Sequence, residues 1–246
     1  MPRFCIIIPV YNHGRELLQV LTQLVAYNLH CFIINDGSGS ETNDYLDQAN
    51  KKFEWITIIT LEKNGGKGAA VKAGLRFAYD QQYTHALQID ADGQHCLEDI
   101  QKFMDESIKY PDALVLGQPI FGKDVPQSRL IGRQISRFWV WVETISKSIQ
   151  DPLFGFRIYP LFRTIQVLDT NRTGNKMDFD PEIAVRLYWG NVIIRNIRTK
   201  VSYPDGSISH FNMVEDNLLI SWMHTKLVFE MLFRLPILLW NRIKKL

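Results

Sequence analysis

Two carboxylates one residue apart, Asp90 and Asp92, are the residues whose types and spacing most directly suggest chemistry. They lie in the stretch DADGQH (90–95), directly after the apolar run 85–89, and a helix-like segment begins at Leu97. Carboxylate oxygens at the end of a buried strand suit Mg²⁺ or Mn²⁺, hard ions that share their coordination with substrate phosphates. Two such aspartates can equally form an Asx-type turn that caps the next helix, so the motif alone leaves both interpretations open.

Further polar clusters follow other apolar runs. NDGS (35–38) contains Asp36, and GGKG (65–68) contains Lys67. The glycine-rich stretch is not a P-loop, because the upstream glycine and the Ser or Thr after the lysine are missing. Taken singly, each cluster also has a structural interpretation as a turn, a solvated helix face, a helix N-terminal acid or an ion pair. The second half of the chain adds candidates on three segments: Arg129, Arg133 and Ser136 in a long helical stretch, Asp151 and Arg157 in DPLFGFR, and Glu182 in DFDPE.

Composition limits the class of protein. The 246 residues are 46% apolar and 22% charged, which is typical of a globular protein with a sizeable core. A net charge of +2 is too weak to indicate nucleic-acid binding. Three widely spaced cysteines indicate reduced thiols in a cytosolic protein. A zinc site at His95 and Cys96 is not expected, because no second ligand pair occurs at metal spacing.

The order of the apolar runs predicts an α/β fold. Strand-like runs alternate with helical segments, which indicates a Rossmann-like, mostly parallel central sheet flanked by helices, with right-handed crossovers. Ser38 or Ser40 is expected to cap the second helix. The expected strands are 4–10, 31–34, 55–61, 85–89, 113–116 and 192–201. The second half is expected to contain a helix over 128–149, another from 178 and a polar loop over 203–210.

The C-terminal stretch 218–246 differs from residues 1–217, which we treat as the main domain. It is rich in Leu, Ile, Phe and Trp, but charged residues and Pro236 interrupt it, so no transmembrane helix is expected. The N-terminal run 4–10 is too short for a signal peptide. The tail is interpreted either as a helical hairpin packed on the domain or as an amphipathic segment lying on a membrane.

Five separated motifs occur in an order that resembles a known family. They resemble family 2 glycosyltransferases of the GT-A fold, and among these the dolichol-phosphate or polyprenyl-phosphate mannose synthase branch. The resemblance extends over residues 4–200. Gln94 points to that branch within the family. The motifs are PVYN (9–12), NDGS (35–38), GKG (66–68), DADGQH (90–95) and the loop from Asp151 to Arg157.

The resemblance implies a role for each matching residue. Asp92, Gln94 and Asp90 correspond to the metal site, and Asp92, Glu182, Asp151 and Arg157 to the catalytic and acceptor-side residues. Asn35 replaces the first Asp of the usual Asp-Asp-Gly-Ser, which leaves the base preference open. The residues expected at the nucleotide sugar are Pro9, Tyr11, Asn12, Asp36, Lys67, Asp90, Ala91, Arg129, Arg133 and Ser136.

The implied activity is an inverting transfer, dependent on Mg²⁺ or Mn²⁺, of a sugar from a GDP- or UDP-linked donor to a lipid-linked acceptor such as a polyprenyl phosphate. A hydroxyl acceptor on a glycan or glycolipid of the cell envelope is the alternative, and it would require Asp151 or Glu182 as a base. A third hypothesis is a catalytically silent nucleotide-sugar binding module at the membrane.

A lipid-linked acceptor also bears on where the protein would work. Such an acceptor requires access to a membrane, so the amphipathic interpretation of the tail 218–246 is favoured. The expected location is therefore cytoplasmic, as a peripheral protein on the inner face of the cell membrane. The expected partners are the nucleotide-diphosphate sugar and the lipid-linked or glycolipid acceptor, without nucleic acid.

Overall fold

The computed structural model describes residues 2–122, 127–202 and 212–243, apart from the side chains of Ser128, Arg129, Asn241 and Arg242. The predicted polar loop 203–210 lies outside the described residues. Seven strands form a single sheet in the order β3-β2-β1-β4-β6-β5-β7. They are β1 (Phe4–Val10), β2 (His30–Asn35), β3 (Ile56–Thr60), β4 (His85–Gln88), β5 (Leu114–Ile120), β6 (Arg157–Pro160) and β7 (Ile194–Lys200).

Eight helices lie in the described part of the chain, and they cover both faces of the sheet. Short 3₁₀ turns extend the first helix through Val25–Tyr27 and precede the fourth at Leu97–Asp99. The helices are α1 (Gly14–Leu24), α2 (Ser40–Lys52), α3 (Lys67–Asp80), α4 (Ile100–Lys109), α5 (Gln127–Thr144), α6 (Leu161–Thr170), α7 (Phe179–Trp189) and α8 (Glu215–Ile243).

The central strand β1 shows why the sheet is covered on both faces. Successive side chains of a strand point to opposite faces, so a strand buried on both sides is apolar throughout. Ile7 belongs to the core cluster that contains Leu75 of α3. Ile6 belongs to the opposite cluster, which contains Leu21 of α1. The α/β class and the flanked central sheet are confirmed.

The sheet is mostly parallel, as predicted, with one exception. Strands β1, β2, β3 and β4 pair in parallel, and so do β5 and β7. Strand β6, however, runs antiparallel to both of its neighbours, β4 and β5. The chain reverses here because the 151–157 loop returns it to the edge of the sheet where β4 ends.

Two local predictions are wrong. The helix predicted over 128–149 ends at Thr144, and Ile145 adopts a left-handed φ of 48° that breaks it. The indole of Trp141 then donates a hydrogen bond of 2.8 Å to the Ile149 carbonyl, which fixes the reversed chain. Helix α2 is preceded by Gly39, and no side chain caps it. Ser38 instead uses its hydroxyl to accept a hydrogen bond from the Asn12 amide.

Helix α8 is a single helix of 29 residues and not a hairpin. Its inner face packs on α5 and α7, where Leu227 and Met223 are buried in the core. Charged side chains reinforce this packing: Lys226 Nζ lies 2.6 Å from Glu182 Oε1, and Arg186 pairs with Glu230. Among the described residues, no helix has both the length and the apolar character needed for a membrane crossing.

The outer face of α8 is apolar and open to solvent. Since the charged side chains Lys226 and Glu230 turn inward to α7, this face carries mainly aliphatic and aromatic groups. On α5 a second apolar stripe, Ile131, Ile135, Phe138 and Trp139, is also exposed. The exposed apolar residues of α8 are Leu218, Trp222, Phe229, Leu232, Phe233, Ile237, Leu239, Trp240 and Ile243.

The close approach of α3 to α7 generates a test of the fold. A Cβ atom on Gly68 would overlap the Phe179 Cβ and lie 2.9 Å from the Asn175 carbonyl carbon. Gly68→Ala should therefore destabilise the protein by about 1–3 kcal/mol, the usual cost of overpacking. The free energy of unfolding is measured by urea titration.

Gly132 provides the matched control, because it lies at an exposed position of α5 where an added methyl group would have no neighbouring atom within 4 Å. Gly132→Ala should stabilise the protein by up to about 1 kcal/mol, since alanine is the better helix former. Equal stabilities for the two variants would contradict the tight helix contact.

Candidate active site

The loops that follow β1 and β2 are joined at the carboxyl end of the sheet. Asn12 adopts a left-handed φ of 55°, which turns its side chain toward the second loop. Its Oδ1 accepts a 2.9 Å hydrogen bond from the Gly39 amide, while the Asp36 amide donates to the Val10 carbonyl at 2.8 Å. Ligands of open α/β sheets bind at this edge. Pro9, Tyr11 and Asn12 thus lie at or next to this edge, and their expected contact with the nucleotide stays a prediction.

Asp36 connects this edge to the glycine-rich turn. Its two carboxylate oxygens accept hydrogen bonds from the amides of Gly65 and Gly66, at 2.8 and 2.9 Å. Burial raises the pKa of Asp36, and the two backbone hydrogen bonds partly offset that effect. Asp36 therefore orients the turn that leads into α3. Its expected contact with the base or ribose stays a prediction.

Lys67 begins α3 and lies between two carboxylates. Its Nζ is 2.9 and 3.0 Å from the two oxygens of Asp90, and 3.1 Å from Asp180 Oδ2. Burial by itself lowers the pKa of Lys67, but Asp180 and Asp90 outweigh it and hold the pKa above its ordinary value. The ammonium is therefore charged.

Asp90 is held on three sides. Burial raises its pKa, but Lys67 outweighs this and lowers the pKa of Asp90 to about 2. Gly155 allows the close approach, because a Cβ there would lie 2.5 Å from Asp90 Oδ2. The Asp90 amide donates to His95 Nδ1 at 3.3 Å, and His95 Nε2 lies 3.6 Å from the carboxylate. Burial lowers the pKa of His95, which keeps the ring neutral.

Asp92 and Gln94 lie next to this cluster and are partly exposed. Gly93 has a left-handed φ of 72°, and the Gln94 amide donates to Asp92 Oδ1 at 3.0 Å, which makes the Asx-type turn. The Gln94 carbonyl accepts from the Ser202 amide, just after β7, at 3.0 Å. The loop is therefore anchored from both sides. The turn and a ligand-binding role are compatible here, because the turn leaves the side chains at the surface.

The donor set of this loop fits a divalent ion. Asp92 and Gln94 offer partly exposed oxygen atoms, the ligands that Mg²⁺ and Mn²⁺ prefer. Within the described ranges, no three His, Cys, Asp or Glu side chains are grouped as metal ligands. Two protein ligands suit an ion that completes its coordination with water and substrate phosphates. Asp90 is engaged by Lys67 and would have to change partner to join them.

Arg133 and Asp151 form a second polar pair. Arg133 Nη1 donates to both oxygens of Asp151, at 2.7 and 2.8 Å, and the Leu153 amide donates to Asp151 Oδ1. A cavity of about 130 Å³ opens beside the pair. The side chain of Arg129 lies outside the described residues. The cavity is lined by Gln118, Pro119, Phe121, Leu130, Arg133, Gln134, Arg137, Gln150 and Asp151.

Three other candidates are engaged inside the protein. Arg157 is fully buried and donates to the carbonyls of Phe154, Pro152 and Asp180. Ser136 Oγ lies 2.8 Å from His224 Nε2 in the α5–α8 interface. The predicted contacts of Arg157 and Ser136 with substrate are not visible in this arrangement and stay predictions.

Glu182, the third of these candidates, faces away from the cleft. The Gly174 amide donates to its Oε2 at 2.7 Å, and Arg186 and Lys226 bind its Oε1. The carboxylate is fully buried and is the centre of the ionic contact between α7 and α8. A catalytic role for Glu182 would require these contacts to be rearranged.

Asp180 is the site residue that the sequence reasoning missed. It lies in the same DFDPE stretch as Glu182, two residues earlier, and its side chain contacts Lys67. Helical spacing separates the two acids, because residues two apart point to different sides of a helix. The available signal was Asp178 and Asp180, a second pair of aspartates one residue apart at the start of an apolar helix.

Comparison with known proteins identifies the family. The family model of "Glycosyl transferase family 2" matches residues 5–167. An uncharacterized protein of Methanocaldococcus jannaschii is 30% identical over 83% of this chain and 90% of its own length. A dolichyl-phosphate beta-glucosyltransferase of Trichomonas vaginalis is 25% identical over 80% of this chain. A polyprenol monophosphomannose synthase of Mycolicibacterium smegmatis is 27% identical over 64%. The chain spans 62% and 61% of these two relatives.

Solved structures agree on the fold. Glucosyl-3-phosphoglycerate synthase from Mycobacterium tuberculosis, in complex with Mn²⁺ and UDP-glucose, superimposes with a TM-score of 0.63 at 13% identity. The match covers 95% of this chain and 79% of that one. TarS of S. aureus, in complex with UDP-GlcNAc, has a TM-score of 0.58 at 17% identity and covers 94% and 72%. The chain belongs to glycosyl transferase family 2 and is a glycosyltransferase of the GT-A fold.

Proposed function

We propose that this enzyme transfers a sugar, with inversion, from a nucleotide-diphosphate sugar to a lipid-linked acceptor such as a polyprenyl phosphate. One observation carries the proposal: the charged Lys67–Asp90 pair lies beside the partly exposed Asp92 and Gln94 at the carboxyl edge of the sheet. A cation and oxygen ligands therefore lie together at the edge of the sheet where ligands of such folds bind, which supports a diphosphate-binding role. The names of the dolichyl-phosphate and polyprenol relatives support a lipid-linked acceptor.

The donor is proposed to occupy the cleft between the loops after β1, β2 and β4. Pro9, Tyr11 and Asn12 would line the nucleotide, and Asp36 would orient the glycine-rich turn beneath it. Ala91 lies between the two aspartates and is buried, so its backbone would form the floor of the cleft. A pocket built from loops on a rigid sheet is the usual arrangement in such enzymes.

Negative charge develops on the nucleotide diphosphate as it leaves the sugar. Lys67 stabilises that charge from one side. Asp92 and Gln94, joined by Asp90, would hold Mg²⁺ or Mn²⁺ on the other. When bound, the ion neutralises the leaving diphosphate as a Lewis acid. The acceptor attacks the face of the sugar opposite the leaving group, which inverts the anomeric carbon.

The second polar pair is proposed to meet the acceptor. Arg133 lines the small cavity together with Arg137, so an anionic phosphate would find two guanidinium groups there. A polyprenyl phosphate is already ionised and needs no strong base. A hydroxyl acceptor would require Asp151 to remove a proton, and Asp151 is engaged by Arg133. The ion pair therefore favours the phosphate acceptor.

The membrane is proposed to cover the outer faces of α8 and α5. An exposed stripe with Trp222, Phe233 and Trp240 provides the apolar and aromatic groups that insert at the lipid–water boundary. The proposed location is the cytoplasmic, inner face of the cell membrane. The three cysteines are free thiols, which agrees with a reducing compartment.

The metal assignment is tested with Asp92→Ala. This variant should lower the release of nucleoside diphosphate from GDP- or UDP-sugars, with Mn²⁺ present, by about 100-fold or more, the loss typical of removing one electrostatic stabiliser. Glu98→Ala is the control, since Glu98 is an exposed carboxylate in the 3₁₀ turn just before α4. Wild-type turnover by Asp92→Ala, with circular dichroism showing both variants folded, would rule out the assignment.

The acceptor is tested with a matched pair of lipids. The wild-type enzyme should transfer sugar to a short polyprenyl phosphate and not to the corresponding polyprenol, because only the phosphate is ionised without a base. The glycosylated lipid is measured by mass spectrometry. Transfer to the polyprenol instead would support the hydroxyl-acceptor alternative.

The membrane surface is tested with charged substitutions on α8. Trp222→Glu combined with Phe233→Glu should markedly reduce sedimentation with anionic lipid vesicles, since these side chains are 68% and 87% exposed. Ile108→Glu on α4, at a residue that is 52% exposed, is the control and should sediment like the wild type. Unchanged binding by the α8 variant would show that this face does not contact lipid.

A further inference from the structure

Four charged side chains form a row of alternating sign that runs inward from the cleft. Asp90 lies at the partly exposed end, followed by Lys67, Asp180 and the fully buried Arg157. Lys67 is within 3.1 Å of both carboxylates, whereas Asp180 Oδ1 is 3.7 Å from Arg157 Nη1. The row therefore has two close contacts, both made by Lys67, and one longer contact.

Arg157 donates its hydrogen bonds to the backbone and not to the side chain of Asp180. Its Nε and Nη2 donate to the Phe154 carbonyl, and its Nη1 donates to the backbone carbonyl of Asp180 at 2.9 Å. Among the described residues, Asp180 Oδ1 is a buried oxygen without a hydrogen-bond partner. The other carboxylate oxygen of Asp180, Oδ2, is directed to Lys67.

The backbone keeps Lys67 and Asp180 together. Each is adjacent in sequence to one partner of the tight helix contact, Lys67 to Gly68 and Asp180 to Phe179. Asp180 is the second residue of α7, where the helix dipole favours a carboxylate. The Lys67–Asp180 contact therefore rests on two packed helices, whereas Asp90 is in a loop.

The two carboxylates that contact Lys67, those of Asp90 and Asp180, have different roles if the proposed function holds. Asp90 is next to Asp92 and Gln94, and it would have to turn away from Lys67 to join them in holding the donor or its metal. An ammonium carries three donors and can keep one partner while it exchanges another. A buried ammonium that lost both partners would be strongly destabilised.

We propose that Asp180 is a positioning residue for Lys67. Asp180 would hold the Lys67 ammonium in the cleft when Asp90 releases Lys67 to contact the donor and its metal. This inference rests on the proposed function. The competing explanation is that Asp180 serves only as the counter-ion of Arg157. The two explanations differ in one respect: only the first requires the effect of changing Asp180 to depend on Lys67.

A double-mutant cycle separates the two explanations. The dissociation constants of GDP and UDP are measured with Mn²⁺ by calorimetry for the wild type, Asp180→Asn, Lys67→Met and the double variant. Asp180→Asn should weaken the binding of whichever nucleotide the wild type binds by about tenfold. In the Lys67→Met background, the same change should alter binding by less than about twofold, because coupled residues are not additive.

Asp169→Asn is the control, because Asp169 pairs with Arg76 at the surface and should leave binding unchanged. Asp180→Ser, a smaller neutral side chain, replaces Asp180→Asn if that variant does not fold, with the same expectation. Asp180→Glu retains the negative charge. Its nucleotide dissociation constant should stay within about threefold of the wild-type value, since the Coulomb attraction between the carboxylate and the Lys67 ammonium falls only weakly with a small displacement.

The other possible results would contradict either the positioning role of Asp180 or the proposed function. Equal effects of Asp180→Asn in both backgrounds, or unchanged or tighter binding, would overturn the positioning role and leave Asp180 as the counter-ion of Arg157. A wild-type protein that binds neither nucleotide with Mn²⁺ would overturn the proposed function, and this inference with it.

Discussion

The contact between the first turns of α3 and α7 is the constraint on which the candidate site depends. Only a glycine at position 68 lets the α3 backbone approach Phe179 and Asn175 so closely. That approach places Lys67 within reach of Asp180. The lysine then holds the Asp90 carboxylate ionised at the end of β4, although burial opposes its charge. The close packing of the two helices therefore determines which charges meet in the candidate site.

The acidic residues in the second half of the chain form three groups, which differ in the residues that they contact. Asp180 faces the cleft, whereas Glu182, on the same helix, turns toward α8 and binds Arg186 and Lys226. Removing one partner of a buried ion pair leaves an uncompensated charge, so such groups are held firmly in place. Glu182 thereby joins α8 to the domain, whereas Asp180 contacts Lys67. Asp151, paired with Arg133, belongs to a third group beside the small cavity.

Helix α8 packs on the domain, as one of the two interpretations of the tail expected, but as a single helix and not as a hairpin. Its inner face is part of the main core, and His224 Nδ1 lies 2.7 Å from Glu143 of α5. Its outer face is exposed and apolar along the length of the helix. An apolar helix surface of this kind indicates a partner or a lipid boundary. Packing on the domain and the proposed contact with a membrane are therefore not exclusive, because they would use different sides of one helix.

Local patterns in the chain were enough to predict the α/β class, six of the seven strands and the family, because periodicity and short motifs are properties of neighbouring residues. They also singled out Lys67, Asp90 and Asp92 as candidates, since each follows a predicted strand. Tertiary packing alone determined which charged side chains contact one another. Lys67 finds its partner Asp180 in the other half of the chain, the antiparallel β6 depends on a loop return, and Glu182 faces α8. Such contacts depend on how helices pack across the sheet, and no local pattern encodes that geometry.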